Sequence, residues 1–330
     1  MSNDVRKKES EIQILKKVFG AEIVYEESEQ PDFILKYGEN IRHGVEISEL
    51  YYDGTSARLK KEKYIKDLLR RKNYWHKEDK KKLKVHDIQY YSKDKDYQPI
   101  QTSAVFLPKY TVQNYARSLK KTIEIKNKKL EKYCSNISNS CRLIIYDKEN
   151  PFEKLNEKDV ARQLFGADLS KVIRESGYKE IYLVTKINKE NKYIPLKAYL
   201  LQSDFLLFVE FVKERNLGNK LEKTCKHPLF AFAEILTRRG HTVSFGKVDN
   251  DDVIGKIVVY SGMYGIGMVT HDNDDWGVGV FDTYPLQNIP NTVELKLERN
   301  EDFFDDDLYM AYERIVQKKI ASVGLFFSTK

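Results

Sequence analysis

Residues 31–50, PDFILKYGENIRHGVEISEL, decide the fold that this sequence predicts. Two apolar segments, at 32–37 and 43–49, flank the turn residues at 38–40, and this pattern predicts two adjacent strands. Asp32 opens the first strand and Glu46 lies near the end of the second. Two carboxylates placed among apolar residues are either ordinary strand-edge charges or ligands of a divalent metal ion.

The geometry of a strand pair is compatible with a metal site. Side chains alternate along a strand, so a pair of neighbouring strands can present Asp32 and Glu46 from one sheet. Two carboxylates and the carbonyl oxygen of Ile47 are hard oxygen ligands of the kind that Mg²⁺, or Mn²⁺ in its place, prefers. Such an ion orients a water and stabilises the charge of a phosphodiester displacement. Glu11 offers a third carboxylate, because it lies on the sheet-facing side of a helix predicted over residues 1–19.

Positive charge is concentrated in two segments of a chain whose formal net charge is +7. Residues 58–84 carry 13 Lys and Arg against 4 Asp and Glu, and residues 117–132 carry 7 against 2. Clustered positive charge attracts phosphate backbones, and the aromatic residues in the first segment can stack on bases. A solvated, lysine-rich helix face is the alternative interpretation. The candidate nucleic-acid-binding residues are Lys60, Arg70, Arg71, Lys120 and Lys121.

The chain length of 330 residues is sufficient for two domains. Glycine-punctuated residues 255–281 are typical of a small curved sheet, which differs from the earlier part of the chain. We therefore predict an α/β domain over 1–215 and a smaller αβ or β-rich C-terminal domain over 216–330. The main elements predicted in the first domain are a helix of about four turns ending at Arg71, a basic helix over 111–133, strands at 141–147, 179–187 and 193–201, and a helix over 203–216.

The order of these elements resembles that of the PD-(D/E)xK, or restriction-endonuclease-like, nuclease superfamily. A helix with an acidic residue is followed by a strand with PDF, a strand with GVEIS and a helix, and thirteen residues separate Asp32 from Glu46. The resemblance covers residues 5–72 clearly, and the later elements to about 210 complete an αβ core. It implies a restriction-endonuclease-like mixed sheet flanked by helices, in which Asp32 and Glu46 bind the metal.

The sequence departs from the family pattern at Ser48, which stands where the ExK tripeptide has its lysine. Family members are known to relocate this lysine to the following helix. Lys61 is the candidate there, because it shares a helix face with Tyr64 and Leu68 and would point toward the apolar side. Lys60, one position away from that face, is the reserve.

The resemblance implies a metal-dependent endonuclease, with DNA favoured over RNA as the substrate, in restriction or anti-phage defence. The alternative is a non-catalytic nucleic-acid-binding subunit of a defence complex with a degenerate nuclease fold. A homodimer and a partner in such a complex both remain open. A third reading is a protein-interaction module that uses the acidic C-terminal face.

A second carboxylate motif lies in the C-terminal part of the chain. Asp282 is followed, after eleven residues, by Glu294, Leu295 and Lys296, which form a regular ExK tripeptide. Glu234, in a predicted helix upstream, could supply the acidic helix residue of this second centre. An alternating charged strand also produces such a tripeptide by chance.

Other features of the sequence argue against zinc and membrane proteins. The three cysteines form no CxxC pair, and the six histidines show no metal-ligand spacing. The most apolar segment, at 204–212, is interrupted by Glu210 and is too short to span a membrane. Residues 1–9 carry no apolar run of the kind found in secretion signals. We therefore expect a cytoplasmic protein without a membrane partner.

Overall fold

The computed structural model describes residues 3–37, 41–91, 99–107, 110–134, 140–225, 227–247, 251, 253–261, 264–270, 276–282 and 303–320. The helices are α1 Asn3–Phe19, α2 Gly54–Leu59, α3 Glu62–Arg71, α4 Lys77–Lys82, α5 Val112–Asn127, α6 Leu130–Cys134, α7 Glu157–Leu164, α8 Ala167–Glu175, α9 Leu196–Glu214, α10 Gly218–Thr224, α11 Pro228–Arg238 and α12 Asp306–Lys319. The strands are β1 Tyr25–Glu27, β2 Phe33–Tyr37, β3 Ile41–Leu50, β4 Lys84–Tyr91, β5 Pro99–Phe106, β6 Ser140–Asp147, β7 Ile181–Ile187, β8 Glu190–Pro195, β9 Val243–Lys247, β10 Val253–Ser261, β11 Tyr264–Thr270 and β12 Trp276–Asp282.

The largest sheet in the described chain is mixed and has the order β1-β2-β3-β6-β7-β8. The three central strands β3, β6 and β7 run parallel, and the outer strands pair antiparallel. Strands β6 and β7 are mostly apolar and almost continuously buried, as expected when helices cover both faces of a sheet. The prediction of a mixed sheet flanked by helices is therefore confirmed.

Alternation along β3 separates the two faces of this sheet. On one face Val45 packs in a cluster with Ile14 and Leu15 of α1. On the other face Leu119 and Ile123 of α5 join the larger core beneath the sheet. Residue 46 lies between Val45 and Ile47 and therefore faces the α5 side.

Residues 54–106, which we call the insert, lie between β3 and α5. Helices α2–α4 and the antiparallel hairpin β4–β5 form it, around a small hydrophobic cluster of Tyr64, Leu68 and Leu83. Asp53 anchors the insert, since its carboxylate accepts hydrogen bonds from Lys82 at 2.7 Å and from Tyr110 at 2.9 Å. The insert therefore begins where β3 ends and returns the chain to the start of α5.

Three predicted elements are wrong in their extent. The helix predicted to run to Arg71 is two helices, because Lys60 ends α2 and Lys61 has extended backbone as the N-cap of α3. The basic helix predicted over 111–133 is likewise divided into α5 and α6. The strand predicted at 193–201 ends at Pro195, because proline lacks a ladder donor, and α9 begins at the next residue.

The C-terminal part contains an antiparallel sheet of order β12-β11-β10-β9 within the described residues, as the glycine-punctuated pattern predicts. Its packing is continuous with the first part of the chain. Phe211 of α9 contacts Phe304 and Tyr312, so buried side chains on both sides of the predicted boundary at residue 215 share one core. Among the helices described, none is long and apolar enough to cross a membrane.

The stability of the insert depends on Asp79, which is fully buried. Burial works to raise its pKa, but hydrogen bonds from Arg58, Tyr64 and Thr55 lower the pKa of Asp79 to about 2. Since this value is below the ordinary 3.8 of an aspartate, the stabilisation is present above pH 4 and is lost as the pH falls toward 2.

We predict that Asp79→Ala destabilises the insert by about 3 kcal/mol, because it leaves buried donors unpaired. Trp75 reports on this directly, since its ring centroid lies 4.8 Å from that of Tyr64. Urea unfolding is followed by the fluorescence of Trp75 in a Trp276→Phe background. The exposed neighbour Glu78 supplies the control, and Glu78→Gln should change stability by less than about 0.5 kcal/mol. Equal unfolding curves for the two variants would contradict the assignment.

Candidate active site

Asp32 and Glu46 lie opposite one another at the end of the β2–β3 ladder. The register pairs Phe33 with Val45, so the next position places Asp32 across from Glu46 on the same face. The Oδ2 atom of Asp32 accepts a hydrogen bond of 2.8 Å from the Ile47 amide. The aspartate side chain therefore continues the ladder where backbone pairing stops. Like charges placed opposite one another repel, so this pair requires a nearby cation.

Glu46 is a buried residue of a central strand, with 5% of its surface exposed, which excludes the reading as an edge-strand charge. Its Oε1 atom forms an ion pair with Nζ of Lys126 and accepts a hydrogen bond of 3.2 Å from the Tyr133 hydroxyl. Burial raises the pKa of Glu46, and the charge of Asp32 raises it further, whereas Lys126 and Tyr133 lower it. Burial and the adjacent Glu46 in turn raise the pKa of Tyr133 to about 12.

Lys126 is the residue of this cluster that the sequence analysis did not assign. It lies in the last turn of α5, three residues after Ile123 and seven after Leu119, both fully buried. Residues at this spacing share a helix face, so the apolar stripe of α5 directs Lys126 toward the sheet. The signal in the sequence is a lysine that continues a buried apolar stripe, the same pattern that favours Lys61 as a candidate.

Lys61 does not occupy the predicted position. It is exposed and caps α3, because the break between α2 and α3 changes the phase of the helix face on which the prediction relied. Lys60 is exposed as well, and its charge acts on Glu149. Ser48 is half-buried on the face of β3 that carries Glu46.

Glu11 is buried on α1, as predicted, with 8% of its surface exposed. Burial and the charge of Asp32 raise its pKa, while Lys7, whose Nζ lies 3.4 Å from the carboxylate, and Lys8 lower it. Nζ of Lys8 also donates a hydrogen bond of 3.0 Å to the Asp32 carbonyl oxygen. The charge of Asp32 thus couples to Glu46 and to Glu11.

The predicted nucleic-acid-binding residues lie on two surfaces. Lys60, Arg70 and Arg71 of the insert are exposed, as is Lys121 of α5. Lys120 is half-buried, and its Nζ lies 3.9 Å from a carboxylate oxygen of Asp168.

Glu234, which the sequence assigns to the second carboxylate centre, binds backbone amides. Glu234 is buried in α11, and its carboxylate accepts hydrogen bonds from the backbone amides of Phe303 at 3.1 Å and Phe304 at 3.0 Å. These bonds hold the segment that precedes α12, which is a structural role. Asp282 ends β12, while Glu294 and Lys296 lie outside the described residues.

The opposed carboxylates fit Mg²⁺ in the type and number of their ligand atoms. Mg²⁺ in proteins is held by one or two carboxylates and keeps several waters, and the repulsion between Asp32 and Glu46 favours a cation. A larger preformed set is not seen, since no group of three or more His, Cys, Asp or Glu side chains in the described part of the chain is arranged to hold a metal.

The fold and this site define the class of the protein: an α/β protein with two opposed carboxylates on neighbouring strands of a mixed sheet and a lysine from helix α5 beside them. No model of a known protein family matches the chain, and comparisons with curated proteins and with solved structures give no significant match.

We predict that Lys126→Met destabilises the protein by roughly 3 kcal/mol at pH 8, because it leaves Glu46 buried and charged without a cation. The pKa of Glu46 in the folded protein is already above its ordinary value of 4.5, and loss of Lys126 raises it further. Ionisation of Glu46 therefore lowers the stability of the variant as the pH rises above 4.5. The loss of stability relative to the wild type should be smaller at pH 4.5 than at pH 8.

Urea unfolding at both pH values measures this effect. The double variant Glu46→Gln/Lys126→Met should recover part of the loss, as a double-mutant cycle requires of two coupled groups. Lys121→Met, on the exposed side of the same helix, is the control. A pH-independent deficit that Glu46→Gln leaves unchanged would show that Lys126 acts through packing alone.

Proposed function

We propose that this protein is a metal-dependent nuclease that hydrolyses nucleic-acid phosphodiesters, with DNA as the favoured substrate. The observation that carries the proposal is the convergence of Asp32, Glu46 and Lys126 at the end of the β2–β3 ladder. The resemblance to the PD-(D/E)xK superfamily is supported by the element order. Helix α1 is followed by the antiparallel pair β2–β3 with the two carboxylates, then by α5 and the parallel strand β6. The strands belong to one sheet, and α1 and α5 cover its two faces.

The residues of the site have separable roles in this proposal. Asp32 and Glu46, with the Ile47 carbonyl oxygen, would hold Mg²⁺ or Mn²⁺, which supplies a polarised water and stabilises negative charge on the phosphate. Lys126 takes the role of the family's lysine, whose position in the tripeptide is occupied here by Ser48. Its ammonium group contacts Glu46. It would position the attacking water or stabilise the developing charge. Glu11 supports the site through its coupling with Asp32.

The insert supplies a basic surface on the segment that follows the Glu46 strand. It leaves the sheet directly after β3 and is anchored at Asp53, so its exposed cations lie on the element that follows the Glu46 strand. Lys60, Arg70 and Arg71 would contact the phosphate backbone and so contribute affinity without reading sequence.

The biological setting is inferred from the resemblance alone, as restriction or anti-phage defence in the cytoplasm, with a homodimer or a complex partner. One observation favours a second candidate, a non-catalytic nucleic-acid-binding subunit of a defence complex. Ser48 stands in the lysine position of the tripeptide, and a nuclease fold that has lost its chemistry would tolerate this change.

We predict that the wild-type protein cleaves plasmid DNA with Mg²⁺ or Mn²⁺ and that EDTA abolishes cleavage. Asp32→Asn, Glu46→Gln and Lys126→Met should each reduce the rate by roughly 100-fold or more, since each removes a charged group from the reaction centre. Lys61→Met should retain most of the activity, because Lys61 is exposed at the N-cap of α3.

Glu294→Ala separates the two carboxylate motifs in the same assay. Loss of cleavage in Glu294→Ala alone would move the chemistry to the C-terminal motif and overturn the assignment to Glu46. A wild-type protein that binds DNA with and without Mg²⁺ but never cleaves it would favour the binding subunit.

We predict that the double variant Arg70→Ala/Arg71→Ala weakens DNA binding and lowers the salt dependence. Each phosphate contact that is lost reduces the slope of log K against log salt by about 0.9. Fluorescence anisotropy with a labelled duplex between 50 and 200 mM salt measures the slope. Lys223→Ala, an exposed residue of α10, is the charge-matched control for a single substitution. An unchanged slope in the double variant would exclude the insert as a phosphate-binding surface.

A further inference from the structure

A cavity of about 770 Å³ lies on the side of the molecule formed by α8, α9 and α12. The segment 176–179 before β7, the residues that follow α11, and strands β10 and β11 complete its wall. Its volume is within the range of pockets that enclose a small-molecule ligand. None of the residues proposed for the nuclease site belongs to this wall, so the cavity requires a separate explanation.

The cavity wall carries five cationic side chains and four carboxylates, the cations being Lys171, Arg174, Lys179, Lys197 and Arg239 and the carboxylates Asp168, Glu175, Asp204 and Glu313. Asp204 is buried and shared by two guanidinium groups, with Arg174 at 2.8 Å and Arg239 at 2.6 Å. Arg239 also lies 2.7 Å from Glu313. Asp204 and Glu313 are therefore neutralised by these two arginines, while Glu175 lies 3.7 Å from Lys171 and Asp168 lies 3.9 Å from Lys120.

Lys197 adds a further cation to this wall. It is half-buried at the start of α9, and its Nζ donates a hydrogen bond of 2.6 Å to the Ser176 carbonyl oxygen. Burial and the charge of Lys179 lower the pKa of Lys197 to about 8, although the buried carboxylate of Glu180 opposes this. The carboxylate of Glu180 is itself held by the Tyr264 hydroxyl and by the backbone amides of residues 181, 197 and 198.

His241 belongs to the cavity wall and lies near three of its cations. Its Nδ1 atom lies 3.1 Å from the hydroxyl of Ser261, which fixes the orientation of the ring. Burial lowers the pKa of His241, and the charges of Arg239, Lys197 and Arg174 lower it further, against the opposing charge of Asp204. Three cations and one carboxylate thus act on the ring, and the ring and Lys197 face the same cavity.

The remainder of the wall is apolar and aromatic. Leu200, Leu201, Val316 and Ile320 supply aliphatic surface, and Tyr309 adds an aromatic ring. Apolar surface with a few convergent polar groups is typical of a pocket that orients an organic ligand. A bare inorganic anion would leave this surface and most of the volume unused.

We propose that this cavity binds a phosphorylated small molecule of nucleotide size, with its phosphate group at Lys197 and His241 and its organic part against the aliphatic and tyrosine wall. Lysine and histidine donate hydrogen bonds to phosphate oxygens from separate directions. A nucleotide and another phosphorylated metabolite share this chemistry, and the choice of probes distinguishes them.

Isothermal titration calorimetry at constant ionic strength, with EDTA present, tests the proposal without any contribution from nuclease activity. The probes are ATP, AMP, sodium pyrophosphate and adenosine. We expect one saturable site for the phosphate-bearing probes, with adenosine at least 10-fold weaker. A stronger response to ATP than to pyrophosphate identifies a nucleotide, and equal responses identify a phosphate site that accepts other organic groups.

Lys197→Met should weaken ATP and pyrophosphate binding at least 10-fold. Lys179→Ala, at the exposed rim of the cavity, should weaken ATP and pyrophosphate binding about 3-fold. If Lys197→Met fails to fold, this variant still tests the proposal. Lys223→Ala, exposed on α10 and outside the cavity wall, should bind as the wild type does. Absence of saturable binding by every phosphate-bearing probe overturns the proposal. Equal affinity in the folded Lys197 and Lys179 variants overturns it too, since the probes then bind elsewhere.

Discussion

The repulsion between Asp32 and Glu46 is the constraint on which the candidate site depends. The strand register places these carboxylates opposite one another, and the burial of Glu46 limits the screening of its charge by water. Lys126 offsets the charge of Glu46 through a direct ion pair, and the Ile47 amide hydrogen-bonds Asp32. A divalent cation would relieve the remaining repulsion. The same arrangement therefore explains both a cost to folding and an affinity for metal.

Much of the fold could be predicted from the sequence, because the relevant signals are local. The strands that carry Asp32 and Glu46 follow from alternation and turn residues, and the burial of Glu11 follows from the periodicity of α1. The failures have equally local causes. Lys61 has extended backbone and divides the predicted helix into α2 and α3. Pro195 ends the predicted strand, and α9 begins at the next residue.

The partner of Glu46 could not be predicted in the same way. Lys126 is 80 residues away in sequence from Glu46, and the insert lies between them, so their contact depends on how α5 packs against the sheet. The stripe of Leu119 and Ile123 shows that Lys126 faces the sheet, but it does not reveal which strand lies beneath. Glu234 illustrates the converse problem, since an acidic residue on an apolar helix can serve backbone amides instead of a metal.

Helix α5 connects the three regions that this structure singles out. At its start, Tyr110 hydrogen-bonds Asp53, the residue that anchors the insert. At its end, the side chain of Asn127 accepts hydrogen bonds from the cavity-wall segment 176–178, and a tyrosine hydroxyl of that segment donates to the Lys126 carbonyl oxygen at 3.2 Å. A helix is stiff along its axis because its backbone hydrogen bonds are continuous. The position of the Lys126 ammonium group is therefore determined jointly by the sheet, the insert and the cavity wall.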